Sequence, residues 1–297
     1  MRKAIGLILL ACCAAVAAPA QTSTTAKYLW IETVQLNTGK YLQFQDMVRQ
    51  VRAEAKETAP GMRWVAATPL TGDGRTVKIL IPHKSVGDID QTLQAMMKIE
   101  QAVMAKNLNL ASQAAETESG ANFVLLKFRD DLSYKLERVN WSVAARWKTT
   151  TFYLKPGEES EFADLIKQFM ELENRVGDPN VKWTTYELLA GGTLPAYVIV
   201  EPLTSLADLD AEPTAASKQV YNATVMNAWE NGLKTCVSRI ESDILMVRPD
   251  LSHPPENMLA ANPDFWTVKE PAAAASLPLG KKKGKMQEAE LKNPPKK

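Results

Sequence analysis

The sequence predicts an α+β protein built from two fused βαββαβ units, with antiparallel sheets packed face to face as an intrachain α/β barrel. Three observations lead to this prediction. The second half repeats the first at an offset of 117 to 120 residues, hydrophobic spacing changes between strand and helix periods in the same order in both halves, and glycine-rich turns fall at matching places. The units are predicted at residues 28–134 and 145–253.

The repeat is visible in five separated blocks that keep their order along the chain. The last block closes each unit with a similar motif, RDDLSY at 129–134 and RPDLSH at 248–253. Offsets change only between predicted elements, as loop insertions would change them. The other paired blocks begin at Gly39 and Gly157, Phe44 and Phe162, Met62 and Val181, and Ile81 and Glu201.

Each unit begins with a strand and a helix. Residues 28–36 and 145–154 are rich in Thr, Val, Trp and Tyr, which is typical of strands. Residues 41–58 and 158–175 carry apolar side chains at i, i+3, i+4 and i+7, which predicts one buried helix face. Glycine and proline at 60–61 and 177–179 end these helices.

A hairpin, a second helix and a closing strand complete each unit. Glycines at 72–74 and 191–192 predict the two hairpin turns. The second helices are predicted at about 89–113 and 215–238. The remaining strands are predicted at 63–70, 76–81 and 123–128 in the first unit, and at 183–189, 196–200 and 240–247 in the second.

This order of elements predicts a four-stranded sheet with both helices on one face. The other face would stay exposed in a single unit, and contiguous exposed apolar area is a liability. We therefore expect the second unit to cover it. A chain of 297 residues is long enough for two such units, each with a core of its own.

These elements resemble the dimeric α/β-barrel superfamily, whose units are ferredoxin-like, in a tandem single-chain form. The resemblance covers residues 28–253 and rests on element order, repeat length and the paired blocks around Trp64 and Trp183. The closing motif is also similar to that of a group of secreted bacterial proteins with no assigned activity. The superfamily includes cofactor-free quinone-forming monooxygenases, haem enzymes such as chlorite dismutases, and small isomerases, so the resemblance alone implies little about activity.

Residues 1–20 predict a signal peptide, and therefore an exported protein in the periplasm or outside the cell. Arg2 and Lys3 precede an apolar stretch at 4–18, and small residues at 18–20 predict cleavage after Ala20. Lipidation at Cys12 is the alternative. Cys236 alone remains in the predicted mature chain, so no disulfide forms within it, and its apolar surroundings predict a buried residue.

The charges are distributed unevenly along the chain. Residues 271–297 hold seven lysines and two glutamates and are predicted to be a disordered Lys/Pro/Ala-rich tail, with weak adhesion to an anionic envelope surface as the alternative. Residues 21–270 carry 26 basic and 32 acidic side chains, which argues against a nucleic-acid partner. We expect no membrane span, and a monomer that acts as an internal pseudo-dimer.

The sequence contains two histidines, His83 and His253. Neither lies in a metal-ligand spacing such as His-x-His, so exposed loop positions are predicted for both. The resemblance to haem enzymes makes His83 an alternative haem ligand. No cofactor and no metal are predicted.

Four tryptophans are candidate ligand-binding residues, because aromatic side chains near strand starts line small-molecule pockets: Trp30, Trp64, Trp147 and Trp183. Core packing is the alternative for each. Trp30 and Trp147 are 117 residues apart, whereas the helices that follow them are 118 apart. A slip of one residue reverses the face of a strand, so these two are expected to point in opposite directions.

Glu32 is the candidate catalytic base, because a carboxylate beside Trp30 in mid-strand can accept a proton from a bound substrate. The corresponding residue 118 positions later is Thr150, and drift at an exposed strand position is the alternative reading. No P-loop, GxSxG elbow or dinucleotide fingerprint is present. The sequence therefore predicts a non-catalytic exported protein that binds a small apolar ligand or a partner. A cofactor-independent monooxygenase-like or isomerase-like enzyme is the alternative.

Overall fold

The computed structural model describes residues 26–268, and each half of that range has the element order β-α-β-β-α-α-β. The strands are β1 (Tyr28–Leu36), β2 (Val65–Pro69), β3 (Thr76–His83), β4 (Glu118–Phe128), β5 (Arg146–Leu154), β6 (Thr184–Ala190), β7 (Ala196–Leu203) and β8 (Val237–Val247). The helices are α1 (Tyr41–Thr58), α2 (Asp88–Lys106), α3 (Leu110–Thr117), α4 (Glu159–Val176), α5 (Ala215–Val220), α6 (Ala223–Cys236), α7 (Glu256–Ala261) and α8 (Pro263–Trp266).

The second helix of each half is interrupted, where the sequence predicts one continuous helix. In the first half the side chain of Asn107 accepts a hydrogen bond from the backbone N–H of Asn109 at 3.1 Å, which competes with the helical pattern. In the second half the side chain of Asn222 accepts from the N–H groups of Thr224 and Val225, and so begins α6 as a new helix.

The prediction of two sheets packed face to face is wrong, because all eight strands form one closed antiparallel barrel in the order β1-β3-β2-β8-β5-β7-β6-β4. Each half contributes four adjacent strands, with the closing strand at one edge. The closing strand of each half then pairs with the second strand of the other half, β4 with β6 and β8 with β2. Pairing these edges satisfies backbone groups that two separate sheets would leave open.

The two seams that close the barrel are short. Residues 67–69 of β2 pair with 245–247 of β8, and residues 125–128 of β4 pair with 186–190 of β6 around a bulge. Within the described residues, the beginnings of β4 and β8 therefore have a neighbouring strand on one side only.

The closing motifs bind each half to the other. The backbone N–H of Ala66 donates to Ser252 Oγ at 2.9 Å, and the N–H of Thr185 donates to Ser133 Oγ at the same distance. Because both bonds are buried and cross between halves, each motif stabilises the hairpin of the opposite half.

One end of the barrel interior is apolar and is covered by the two short helices α7 and α8, which the sequence does not predict. Trp266 and Met258 from these helices pack with Trp147, Leu245 and Val65 in one buried cluster. Helices this short have too few residues to show a hydrophobic period in the sequence. Their positions are fixed by the burial of Trp266 and Met258.

Candidate functional site

The alternation of β1 determines which of its side chains face the helices. Val34 and Leu36 pack against Phe44 and Val48 of α1. Successive side chains in a strand point to opposite faces, so the even-numbered residues of β1 lie on the helix side. Glu32 and Trp30 therefore lie between the sheet and its helices, outside the barrel interior.

Glu32 lies in the middle of this helix-facing surface, opposite Ile79 of β3 and Phe123 of β4. It is half-buried, and Phe123 beside it is 39% exposed, so the helices cover this part of the sheet incompletely. Within residues 26–268 the Glu32 carboxylate has no hydrogen-bond or salt-bridge partner.

Burial raises the pKa of Glu32 to about 7, with a smaller contribution from the like charge of Glu118. Glu118 begins β4 opposite Leu36, and burial raises its pKa as well. A carboxyl group with a pKa near neutrality exchanges protons readily at physiological pH. Sequence reasoning did not identify Glu118 or Phe123, because only the pairing of β1 with β4 brings them to this surface.

Trp30 gives the surface an aromatic wall. Its ring lies 5.3 Å from that of Phe123 and 6.5 Å from that of His83, measured between ring centroids. Its inner side packs against the cluster that includes Ile99 and Val103 of α2. Trp30, Phe123 and Glu32 together form a half-covered, mainly apolar surface with Glu32 as its carboxylate, which we call the Glu32 surface.

His83 is buried at the end of β3, with 5% of its surface exposed, so the prediction of an exposed loop position is wrong. It pairs with Tyr28 of β1 and lies on the same face as Trp30. Its Nε2 atom is buried and has no partner among the described residues. Burial lowers the pKa of His83, and the negative charge of Asp88 opposes that shift.

The surroundings of His83 do not fit a haem group. An axial histidine needs an open slot for the flat macrocycle beside its coordinating nitrogen, whereas His83 is almost fully covered and has the Trp30 ring 6.5 Å away. Two surface cavities of about 360 and 320 Å³ lie in the second half, and neither is lined by this histidine.

The other three candidate tryptophans are buried core residues, each at most 5% exposed. Trp64 and Trp183 donate their indole N–H groups to backbone carbonyls. Trp147 packs inside the barrel, whereas Trp30 packs on the helix side. The expected opposite orientation of Trp30 and Trp147 is thus confirmed.

Among the described residues, the second half has no equivalent of the Glu32 surface. Thr150 pairs with Ile199 as Glu32 pairs with Ile79, so Thr150 is the structural counterpart of Glu32. The counterpart of Trp30 is Lys148, whose ammonium group lies 2.7 Å from the carboxylate of Glu201. An ion pair therefore replaces the aromatic wall in the second half.

His253 is also buried, at 5% exposure, which again differs from the predicted loop position. Its ring packs edge-on against Trp64 at 5.1 Å between centroids, and its Nε2 atom contacts Arg63. Burial, followed by the nearby Arg63, Lys56 and Arg52, lowers the pKa of His253 to about 4. The ring is therefore neutral at physiological pH.

Cys236 is buried, as predicted, and its Sγ atom donates to the carbonyl of Gly232. Across residues 26–268 no group of three or more His, Cys, Asp or Glu side chains is placed to hold a metal ion. In that same range, every helix is too short or too polar to cross a membrane. The predicted signal peptide at 1–20, Cys12 and the predicted tail at 271–297 lie outside the described residues.

The fold is similar to that of several solved structures. An anthrone oxidase-like protein matches with a TM-score of 0.50 and 12% identity, over 76% of this chain and 93% of that one. A candidate monooxygenase from Lactobacillus acidophilus matches with a TM-score of 0.43 and 8% identity, over 75% and 94% of the two chains. A chlorite dismutase variant from Candidatus Nitrospira defluvii matches with a TM-score of 0.44 and 8% identity, over 80% and 96%. At 12% identity the likeness to the anthrone oxidase-like protein concerns the fold alone.

No protein-family model matches the chain. No curated protein matches it either.

Proposed function

We propose that this protein is an enzyme that removes a proton from a small, planar, conjugated substrate bound on the Glu32 surface, with Glu32 as the general base. The observation that carries the proposal is the position of Glu32. It is the carboxylate on a half-covered face walled by Trp30 and Phe123, and no described residue neutralises it. This proposal favours the enzymatic alternative over the non-catalytic binding that the sequence first suggests.

The chemistry of the site follows from its environment. The aromatic rings of Trp30 and Phe123 offer a flat apolar surface, on which a planar ligand gains both burial and stacking. Glu32 accepts the proton, and the electron pair left on the substrate is delocalised over its conjugated system. Return of the proton to a different carbon gives an isomerisation. Alternatively, dissolved oxygen adds to the carbanion and takes up the proton held by Glu32, and the resulting hydroperoxide loses water to leave a new carbonyl group, which is an oxygenation.

The raised pKa of Glu32 suits this role. A base with a pKa of about 7 is sufficiently ionised at neutral pH to accept a proton and basic enough to hold it. Desolvation raises the pKa of Glu32, and a bound apolar substrate would increase the desolvation further. We therefore expect the rate to rise with pH through the pKa of Glu32.

Deuterium exchange tests the first step without assuming the product. The probe is 2-tetralone, a bicyclic aromatic ketone with acidic carbon–hydrogen bonds, incubated with the protein in D₂O and followed by NMR. We expect the protein to accelerate incorporation of deuterium next to the carbonyl group. Glu32→Gln should slow that exchange by about 10²- to 10⁴-fold, the usual contribution of a general base.

Glu201→Gln is the matched control, since Glu201 is a half-buried glutamate on the same face of the other half. Exchange that is equally fast in both variants, or no faster than in buffer, would contradict the proposal. Oxygen uptake with anthrone, recorded with the same three proteins, distinguishes an oxygenase from an isomerase.

Carriage of a small apolar ligand without catalysis is the second candidate, and a cavity of about 360 Å³ favours it. Leu188, Leu194 and Pro195 line this cavity together with residues at the start of α4. Its volume is within the range of small-molecule sites. Saturable binding of 2-tetralone that is lost in Leu194→Arg and unchanged in Glu32→Gln would favour this candidate. Export of the protein stays a prediction from residues 1–20.

A further inference from the structure

The beginning of β8 is a free strand edge. The direction of its backbone N–H and C=O groups determines which of them can pair with another strand. Ile244 accepts from the N–H of Leu70 and donates to Thr71 Oγ1, so its backbone groups point away from β5. Backbone groups alternate along a strand, so those of Ile240 and Ser242 point the same way. In the described chain nothing hydrogen bonds to these outward groups, and the Ile240 side chain is 47% exposed.

The charged side chains on this edge alternate in sign, so that the edge is complementary to the same edge of a second copy. Arg239 and Glu241 flank Ile240, and they contact each other at 3.2 Å on one face of the strand. If a second copy of β8 lies antiparallel with Ile240 opposite Ile240, each Arg239 is opposite the Glu241 of the other copy. Registers centred on Arg239 or Glu241 place like charges opposite one another, which is unfavourable.

We propose that this edge, which comprises residues 238–242, pairs with the same edge of a second copy of the chain, in the register centred on Ile240. In that register the outward N–H and C=O groups of Ile240 face their counterparts and exchange two hydrogen bonds. The exposed Ile240 side chains become neighbours, and two Arg239–Glu241 pairs form across the two-fold axis. This differs from the monomer that the sequence suggests.

The first half provides a comparison within the same molecule. Its free edge at residues 119–122 is also solvent-exposed, but Asn122 occupies the position that corresponds to Glu241. Gly120 occupies the position next to Ala121 where a cation would be needed. Charge therefore gives a preferred register to the β8 edge and none to the β4 edge.

The size of the contact limits its strength. Pairing over about five residues buries far less than the roughly 1,200 to 2,000 Å² of a stable interface. We therefore expect a weak, concentration-dependent dimer, visible at hundreds of micromolar protein and dissociated at a few micromolar.

Sedimentation equilibrium of the full chain and two charge variants tests this register. Arg239→Glu makes the edge wholly acidic, and Glu241→Arg makes it wholly basic, so each variant alone should associate at least tenfold more weakly than the parent. An equimolar mixture brings an acidic edge opposite a basic edge, and we expect it to recover association. Loss of an interaction within one chain does not produce such recovery.

The control mixture combines Lys218→Glu with Glu212→Lys, two exposed positions that change the net charge equally. Each of these control variants alone should associate as strongly as the parent, and mixing them should not strengthen the association. A parent chain that is monomeric at every concentration overturns the proposal. So does a dimer that the variants at 239 and 241 leave unchanged, or recovery that the control mixture reproduces.

Discussion

The indole N–H of Trp64 donates a buried hydrogen bond of 2.8 Å to the backbone carbonyl oxygen of Leu251. Trp64 precedes β2 in the first half, and Leu251 belongs to the closing motif of the second half. Trp183 makes the corresponding bond of 2.9 Å to Leu132, in the opposite direction between halves. Two equivalent tryptophans thus hold the halves together where the barrel seams are short.

Replacement of Trp64 by Phe should destabilise the protein, because it leaves the Leu251 carbonyl buried without its donor. An unsatisfied buried polar group costs about 1–3 kcal/mol. Urea unfolding followed by circular dichroism measures the change in the free energy of unfolding. Trp183→Phe should cost less than Trp64→Phe, because the Thr185 hydroxyl also donates to the Leu132 carbonyl, at 2.7 Å. Trp30→Phe removes no comparable bond and should cost less still. Equal losses in all three variants would show that ring volume, and not the hydrogen bond, is responsible.

Gly191→Ala should weaken the seam between β4 and β6. A Cβ atom at Gly191 would lie 1.9 Å from the carbonyl oxygen of Phe123, and the residue has a φ of +89°. Gly157 has the same φ of +89° with nothing within 4 Å of the added atom, so Gly157→Ala isolates the backbone strain. We expect about 1–2 kcal/mol for Gly157→Ala and about 1–3 kcal/mol more for Gly191→Ala, by thermal or urea unfolding. Similar losses in the two variants would argue against the clash.

Glu32 should make the folded protein less stable as the pH rises. Its carboxyl group has a pKa near 4.5 when unfolded and about 7 when folded, so the protonated form is favoured in the folded state. The contribution of this group is therefore fully present below pH 4.5 and is lost as the pH rises to 7 and beyond. The loss is up to about 3 kcal/mol.

Urea unfolding at pH values from 4.5 to 8 measures that loss. Glu32→Gln should remain more stable than the parent at pH 8, and the difference should narrow toward pH 4.5. Thr150→Gln, at the corresponding position of the second half, is the control and should not change the pH dependence. If the free energies of unfolding of the parent and Glu32→Gln differ by the same amount at all pH values, the Glu32 carboxylate is exposed to water and the assignment is wrong.

His253 should have the opposite effect on pH dependence. Burial and the neighbouring cations lower its pKa to about 4 from 6.5, so the folded state favours the neutral ring. The stability that the neutral ring contributes is present above pH 6.5 and is lost as the pH falls toward 4. The free energy of unfolding should therefore fall over this range.

His253→Tyr tests this assignment, because Tyr134 occupies the corresponding position in the other closing motif and stacks on Trp183 at 4.8 Å between ring centroids. The variant should fold and should lose part of the decrease in stability between pH 6.5 and 4. His83 is buried as well and contributes in the same direction, so the decrease should not vanish. An unchanged pH dependence in His253→Tyr would contradict the assignment.

The sequence predicts the local elements of this chain well, because their signals are local. The apolar stripe of α1, the glycines of the hairpin turns and the alternation in β1 each depend on residues close together in the chain. The one-residue slip between Trp30 and Trp147 even predicts their opposite orientations. The interruptions at Asn107 and Asn222 were missed, because an asparagine interrupts a helix only where its side chain finds a free backbone group.

The candidate site could be predicted only in part. Glu32 and Trp30 are two residues apart, so alternation alone puts them on one face. Phe123 and Glu118 join them through the pairing of β1 with β4, over a separation of about ninety residues that no local pattern encodes. The burial that raises the pKa of Glu32 is likewise a property of the packed sheet.

The sequence by itself determined the order of the strands and main helices, the hairpin turns and the opposite facing of Trp30 and Trp147. Only the tertiary structure decided that the eight strands close into one barrel, that β4 pairs with β6 and β8 with β2, and that both histidines are buried. The physical reason is that hydrophobic period and turn chemistry act over a few residues. Free strand edges offer the same backbone N–H and C=O groups in every sequence. Which edge pairs with which therefore depends on the groups that the folded chain places beside each edge.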